Sequence, residues 1–164
     1  MAHQRNGMAN TAPIKCTPMS AYDIAHECTE PLLSGQTPLH LAAANNYDAI
    51  TRLLLQSKAS IAVQDKHRQT PLHLAVKNDS DATTRLLLES KASTDVQDEC
   101  GQTPLHLAVA NNHDAITRLL LQSKASIANG KTPLHLAAAN DRDATTRLLL
   151  ESKASIDVQD ELKR

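Results

Sequence analysis

The chain has 164 residues, of which 17 are basic and 18 acidic, for a formal net charge of −1. That balance lacks the basic excess that nucleic acid or an anionic membrane surface requires. Two Tyr are its only aromatic residues, so the core must be built from Leu, Ala, Ile and Val, which suit close helix–helix contact.

The first residues have no apolar stretch of the kind that marks a secretory signal, and no run in the chain approaches the length of a membrane span. Residues 1–16 are expected to be disordered. Cys16, Cys28 and Cys100 form no even, regular framework, which argues against a disulfide scaffold and for a reducing, cytoplasmic (intracellular) location. Residues 17–33 open with Thr17, Pro18 and Met19 and look like a degenerate copy of the helix start that recurs downstream. Only 20 residues separate Thr17 from Thr37, so a whole unit does not fit, and a one-helix cap on the open side of the next unit is expected. Cys16, His26 and Cys28 cluster loosely, without a fourth zinc ligand at the usual spacing.

From Thr37 onward the chain repeats itself. Thr-Pro-Leu-His-Leu-Ala occurs four times, starting at Thr37, Thr70, Thr103 and Thr132, at intervals of 33, 33 and 29 residues. A Thr-Arg-Leu-Leu-Leu block follows each copy, with its Arg at Arg52, Arg85, Arg118 and Arg147. Ser-Lys-Ala-Ser closes each unit, with its Lys at Lys58, Lys91, Lys124 and Lys153. In every unit the Thr can cap a helix and the Pro sits at the first helical position, where its missing N–H costs nothing. Asn46, Asp79, Asn112 and Asp141 suit the left-handed turn that ends this helix. A second helix is expected to start at Asp48, Asp81, Asp114 and Asp143, where a carboxylate favours the helix N-terminus. Each Asp also precedes an Arg by four residues, a pairing worth about 0.2–0.5 kcal/mol. Units 1 and 3 share one set of variants and units 2 and 4 another, as duplication of a two-unit block would leave them.

These motifs resemble the ankyrin repeat family, whose unit of about 33 residues carries a Thr-Pro-Leu-His signature. The resemblance covers residues 34–164, with units at about 34–66, 67–99, 100–128 and 129–161. It implies an all-α repeat solenoid, a helix-turn-helix stack with β-hairpin fingers. The chain departs from the family pattern in several places. Lys58, Lys91, Lys124 and Lys153 stand where the family places Gly after the leucines. Arg68 stands where the other units have Gly35, Gly101 and Gly130. Thr83–Thr84 and Thr145–Thr146 replace a usual Ile-Val. These departures predict a less stable stack of the same fold. The short interval falls in the finger around Asn129 and Gly130, a strong hairpin signal, and predicts a clipped finger between units 3 and 4. The last unit keeps an apolar outer helix, which fits either a fragment of a longer array or an end covered by a partner.

His40, His73, His106 and His135 recur once per unit. Neighbouring units lie about 10 Å apart, too far for a shared zinc, so each His is expected to bond the backbone of the neighbouring finger. Four Gly in all leave no phosphate-cradling loop, and no Ser, Cys or Thr has a base placed to activate it. No catalytic residue, metal or cofactor is assigned. The recurring Lys are interspersed with Asp65, Glu89, Asp95, Asp98 and Glu151 and have no aromatic platform beside them, which reads as a solvated mixed-charge face and not a nucleic-acid site.

The resemblance implies a non-enzymatic module that binds a protein partner of unknown identity. No nucleic acid, membrane or small-molecule ligand is expected, and the chain itself is expected to be a monomer. The family's contacts come from finger tips and from positions late in the first helix. Carried over by position, the finger candidates are Gln36, Lys66, His67, Arg68, Gln69, Glu99, Cys100, Gln102 and Lys131. The helix candidates are Asn45, Lys77, Asn78, Asn111 and Asn140, with Ala44, Ala110 and Ala139 beside them. Units differ most at Lys66, His67, Arg68 and Lys77, which puts the expected centre of binding in unit 2. The alternative is a structural spacer, or a fragment of a longer ankyrin scaffold, without a specific partner of its own.

Overall fold

The computed structural model describes residues 34–125, 132–154 and 156. Within them the chain forms eight α-helices: α1 (Pro38–Ala44), α2 (Asp48–Gln56), α3 (Pro71–Lys77), α4 (Asp81–Glu89), α5 (Pro104–Asn111), α6 (Asp114–Gln122), α7 (Pro133–Ala139) and α8 (Asp143–Glu151). Each odd-numbered helix pairs with the even-numbered helix that follows it. The odd helices also pack side by side as one row and the even helices as a second. Helices of seven to nine residues are too short to persist alone in water, so stacking holds the fold together. Residues 1–33, residues 126–131 with the expected clipped finger, residue 155 and the chain beyond Ile156 lie outside the described residues. So do the expected disordered segment, the one-helix cap and the Cys16–His26–Cys28 cluster.

The repeated Thr-Pro-Leu-His sets the start of each inner helix. Thr37 is extended (φ −85°, ψ 165°) and Pro38 follows at the first helical position. The Thr37 N–H donates to Nδ1 of His40 at 3.1 Å and the Thr37 hydroxyl meets the same nitrogen at 2.8 Å. The His40 N–H returns a bond to Thr37 Oγ1 at 3.4 Å. This is a reciprocal capping box with His in the place usually held by Glu or Gln. The same ring contacts recur at Thr70–His73 and Thr103–His106, and Thr132 Oγ1 lies 2.7 Å from His135 Nδ1.

The helix ends follow the sequence too. Asn46, Asp79, Asn112 and Asp141 all have positive φ, between 54° and 63°. Lys58, Lys91, Lys124 and Lys153 keep the left-handed turn of the glycine they replace, with φ of 61°, 67°, 61° and 64°. After α2, the Lys58 N–H donates to Leu55 O at 3.0 Å and the Ala59 N–H to Leu54 O at 2.9 Å. That paired pattern is the Schellman motif, which satisfies carbonyls that the helix end leaves bare. Each Lys holds this conformation at a cost of about 1 kcal/mol relative to glycine. Arg68 does the same at φ 58°, beside Gly35 at 69° and Gly101 at 73°.

Between the rows, Leu39, Leu72 and Leu105 of the inner helices are buried with Ala43, Ala75, Ala108 and Ala137, and the outer helices contribute Leu87, Ile116, Leu120 and Leu149. The alanines remove bulk where backbones approach. The Asp–Arg pairs expected along the outer helices do not form. Asp48 and Asp114 instead accept hydroxyl bonds from the next unit, Thr83 Oγ1 to Asp48 Oδ1 at 2.6 Å and Thr145 Oγ1 to Asp114 Oδ1 at 2.7 Å. A short, fixed Oγ reaches the carboxylate with little side-chain entropy to lose, whereas Arg must order a long chain for a weak exposed pair. No strand occurs among the described residues, and the fingers are hairpin-like turns.

Candidate partner-binding surface

Among the described residues, two finger tips are each built around a buried aspartate. Asp65 Oδ1 accepts from the backbone N–H groups of His67 and Gln69, both at 2.9 Å. Asp98 Oδ1 does the same for Cys100 at 2.9 Å and Gln102 at 2.8 Å. The backbone closes each turn, Asp65 N–H to Gln69 O and Asp98 N–H to Gln102 O, at 2.9 Å. Both carboxylates are buried, and together these bonds fix the tip without a strand ladder. The sequence suggested solvated carboxylates at Asp65 and Asp98. The signal that identifies them is their position, five residues before Thr70 and Thr103, where an Asx turn must begin.

Neighbouring fingers are tied edge to edge. The Lys66 N–H donates to Ser34 O at 2.9 Å and the Glu99 N–H to His67 O at 3.0 Å. Gln64 Nε2 donates to Arg68 O within its own finger at 2.8 Å and to Gln97 O of the next finger at 3.4 Å. Beside the second tie, His67 Nδ1 and Glu99 Oε1 are 3.0 Å apart. The histidines of the inner helices join fingers to helices. Since Nδ1 accepts the Thr N–H, Nε2 carries the proton and donates to the following finger: His40 Nε2 to Gln69 O at 3.1 Å and His73 Nε2 to Gln102 O at 3.3 Å. Both nitrogens of these rings are thereby used, which is the structural role expected of them. Burial holds the His73 imidazole below its usual pKa, partly offset by the bond to Gln102 and the charges of Asp98 and Asp65.

The candidate contact residues divide by environment. Lys66, Arg68, Lys77, Glu99 and Cys100 are exposed, and Gln36 and His67 are half-buried. Lys66, His67 and Arg68 share the second finger tip, and Lys77 is the last residue of α3. Gln69 and Gln102 are half-buried, and their main-chain groups belong to the scaffold. Asn45, Asn78 and Asn140 turn their Nδ2 groups back onto Leu41 O, Leu74 O and Leu136 O at 2.8, 3.0 and 2.8 Å. Asn111 ends α5, one residue before its left-handed cap Asn112. Cys100 is disulfide-bonded, against the expectation of a reducing location without disulfides. Lys131 lies outside the described residues.

Two further features bear on the chemistry of the surface. Among the described residues no group of three His, Cys, Asp or Glu comes together as metal ligands. No helix among them is long and apolar enough to cross a membrane. A family model described as ankyrin repeats in three copies matches residues 14–98 and again 82–160. No curated protein matches the chain. The two matched stretches span most of the chain, and with the repeated helix pairs they establish that it belongs to the ankyrin repeat family.

Proposed function

We propose that the chain is a recognition module that docks a protein partner on its finger tips and on the face formed by the ends of its inner helices, with unit 2 at the centre. Ankyrin repeats are in general non-enzymatic modules for protein–protein interaction, and stacked units present an extended concave surface. The observation that carries the placement is Arg68. It is an exposed guanidinium held at φ 58° in a position where Gly35 and Gly101 carry no side chain. A strained residue at an exposed tip fits a contact role. Lys66 and His67 lie beside it on a turn whose backbone is restrained from both sides, so little ordering is needed on binding. Gln36, Asn45, Asn78, Glu99, Cys100, Gln102, Asn111, Lys131 and Asn140 complete the proposed surface around that centre.

The test is capture with the whole chain as bait, identification of the prey, and a repeat with Lys66, His67 and Lys77 together changed to Ala. The proposal expects a specific prey whose recovery falls about tenfold or more with the triple variant, the loss that a few contact side chains produce, while its circular dichroism is unchanged. Equal recovery by the triple variant and by Arg68→Ala removes unit 2 as the centre. Recovery of nothing specific favours the spacer reading.

A further inference from the structure

The two ends of the described stack match one another. Helices α2 and α6 have the same sequence, Asp-Ala-Ile-Thr-Arg-Leu-Leu-Leu-Gln, and α4 and α8 share Asp-Ala-Thr-Thr-Arg-Leu-Leu-Leu-Glu. The seam between units 2 and 3 is therefore a contact of the α4 sequence with the α6 sequence. The far side of unit 4 offers the first of these sequences again, and the near side of unit 1 offers the second.

Exposure tells the ends from the seam. At the seam Ile116 is 0% exposed and Leu107 is 9% exposed. Their counterparts in unit 1, Ile50 and Leu41, are 48% and 36% exposed, and Leu53 next to them is 62% exposed. At the other end Leu150 is 42% exposed, whereas its counterpart Leu88 is packed against the core. The polar groups match as well. His73 Nε2 reaches Gln102 O across the seam. Its counterpart His135 uses Nδ1 on Thr132 and has no acceptor for Nε2 among the described residues. Gln36, the counterpart of Gln102, precedes the cap of unit 1 in the same way.

We infer that copies of the chain stack head to tail, unit 4 of one copy against unit 1 of the next, in the register of the internal seam between units 2 and 3. The occupant of each end is a second copy because the seam already shows the two surfaces fitted together. His135 Nε2 donates to Gln36 O of the next copy, Leu41 packs against α7, and Ile50 and Leu53 pack against the α8 face that carries Leu150. The contact is weaker than the seam it copies. Ala138 replaces Val76, and Tyr47 replaces His113, whose Nδ1 lies 3.0 Å from Asp79 Oδ1. Association is therefore reversible and concentration-dependent. Such a contact joins two different surfaces, so it propagates into open chains of copies and does not stop at a symmetric dimer.

Sedimentation velocity of the full chain, from micromolar to near-millimolar concentration, tests this. The weight-average mass should rise with concentration by about twofold or more, without a plateau at the dimer. Ile50→Lys with Leu53→Lys blocks one end and Leu150→Lys the other. All three side chains are exposed, and circular dichroism and melting check that each variant folds. Each variant alone should remain monomeric. Mixed in equal amounts they should form a dimer and nothing larger, because each retains the surface that the other lacks. A wild-type chain that stays monomeric throughout overturns the inference. Association that persists in either single-end variant, or a mixture that gives no dimer, overturns it as well.

Discussion

Thr83 Oγ1 donates to Asp48 Oδ1 at 2.6 Å across the boundary between units 1 and 2, whereas the hydroxyl of its neighbour Thr84 is buried with no partner. The two adjacent threonines are chemically identical and energetically opposite. One satisfies a carboxylate of another unit in a charge-assisted bond. The other places a desolvated hydroxyl in an apolar seam.

Substitution by Val, which keeps the branched shape, separates the two effects. Thr84→Val should stabilise the chain by about 1 kcal/mol, because it removes a buried hydroxyl that makes no bond. Thr83→Val should destabilise it by about 1 kcal/mol, because it strips Asp48 of its donor. The hydroxyls of Thr51 and Thr117 are also buried without partners, and their Val variants should follow Thr84. Urea midpoints at fixed m-value measure all four. The same sign for Thr83 and Thr84 would refute the distinction.

The left-handed lysines give a second prediction. Lys91 is exposed at φ 67°, so Lys91→Gly loses no buried contact and relieves the conformational cost. We expect a gain of about 1 kcal/mol, visible as a higher urea midpoint. Lys58, Lys124 and Lys153 should behave alike, and combinations of distant sites should add. Arg68→Gly should also stabilise, and under the proposed function it should weaken partner binding at the same time. Stability and binding moving in opposite directions at one residue is the signature of a strained contact.

Much of this architecture is legible in the sequence because it is local. The Thr37–His40 cap spans three residues, and the turn at Lys58 is fixed by the helix just before it. Both follow from the motif and its spacing. The illegible parts are contacts between units. Thr83 meets Asp48 at a separation of 35 residues and His67 meets Glu99 at 32. Both carboxylates had nearer candidate partners or none in view. Asp65 and Asp98 show the same limit differently, since an acidic residue in a polar turn gives no local sign that it will be buried. The candidate surface was legible as a set of positions through the family resemblance. What restrains those positions, two backbone ties and two buried carboxylates, was not.

His73 makes stability depend on pH. Burial depresses its folded-state pKa below the ordinary value of about 6.5. In the unfolded chain the imidazole takes up a proton near that ordinary value, so below it the unfolded state binds more protons than the folded state. Stability therefore falls as pH drops through about 6.5 and continues to fall until the folded-state pKa is reached. Above that window the contribution is constant. Urea midpoints between pH 7.5 and about pH 5 should decline in the wild type, and the decline should be shallower in His73→Gln. An NMR titration in which His73 protonates at or above the ordinary value would contradict this.

Asp98 offers the sharpest test of how the finger is held. Its Oδ1 accepts the backbone N–H groups of Cys100 and Gln102, and the Gln102 carbonyl in turn accepts from His73. Asp98→Ala leaves two N–H groups without an acceptor and loosens the carbonyl that orients the imidazole. We expect a loss of about 3 kcal/mol, the sum of two charge-assisted bonds at the low end of their range. Asp98→Asn keeps an acceptor oxygen without the charge and should lose about half as much. Hydrogen exchange distinguishes this from a general loss of stability. The Gln102 amide should lose protection in Asp98→Ala far more than the helical amides of α3, because the bond removed is its own. Uniform loss along the chain would mean that Asp98 contributes through charge or packing and does not hold the turn.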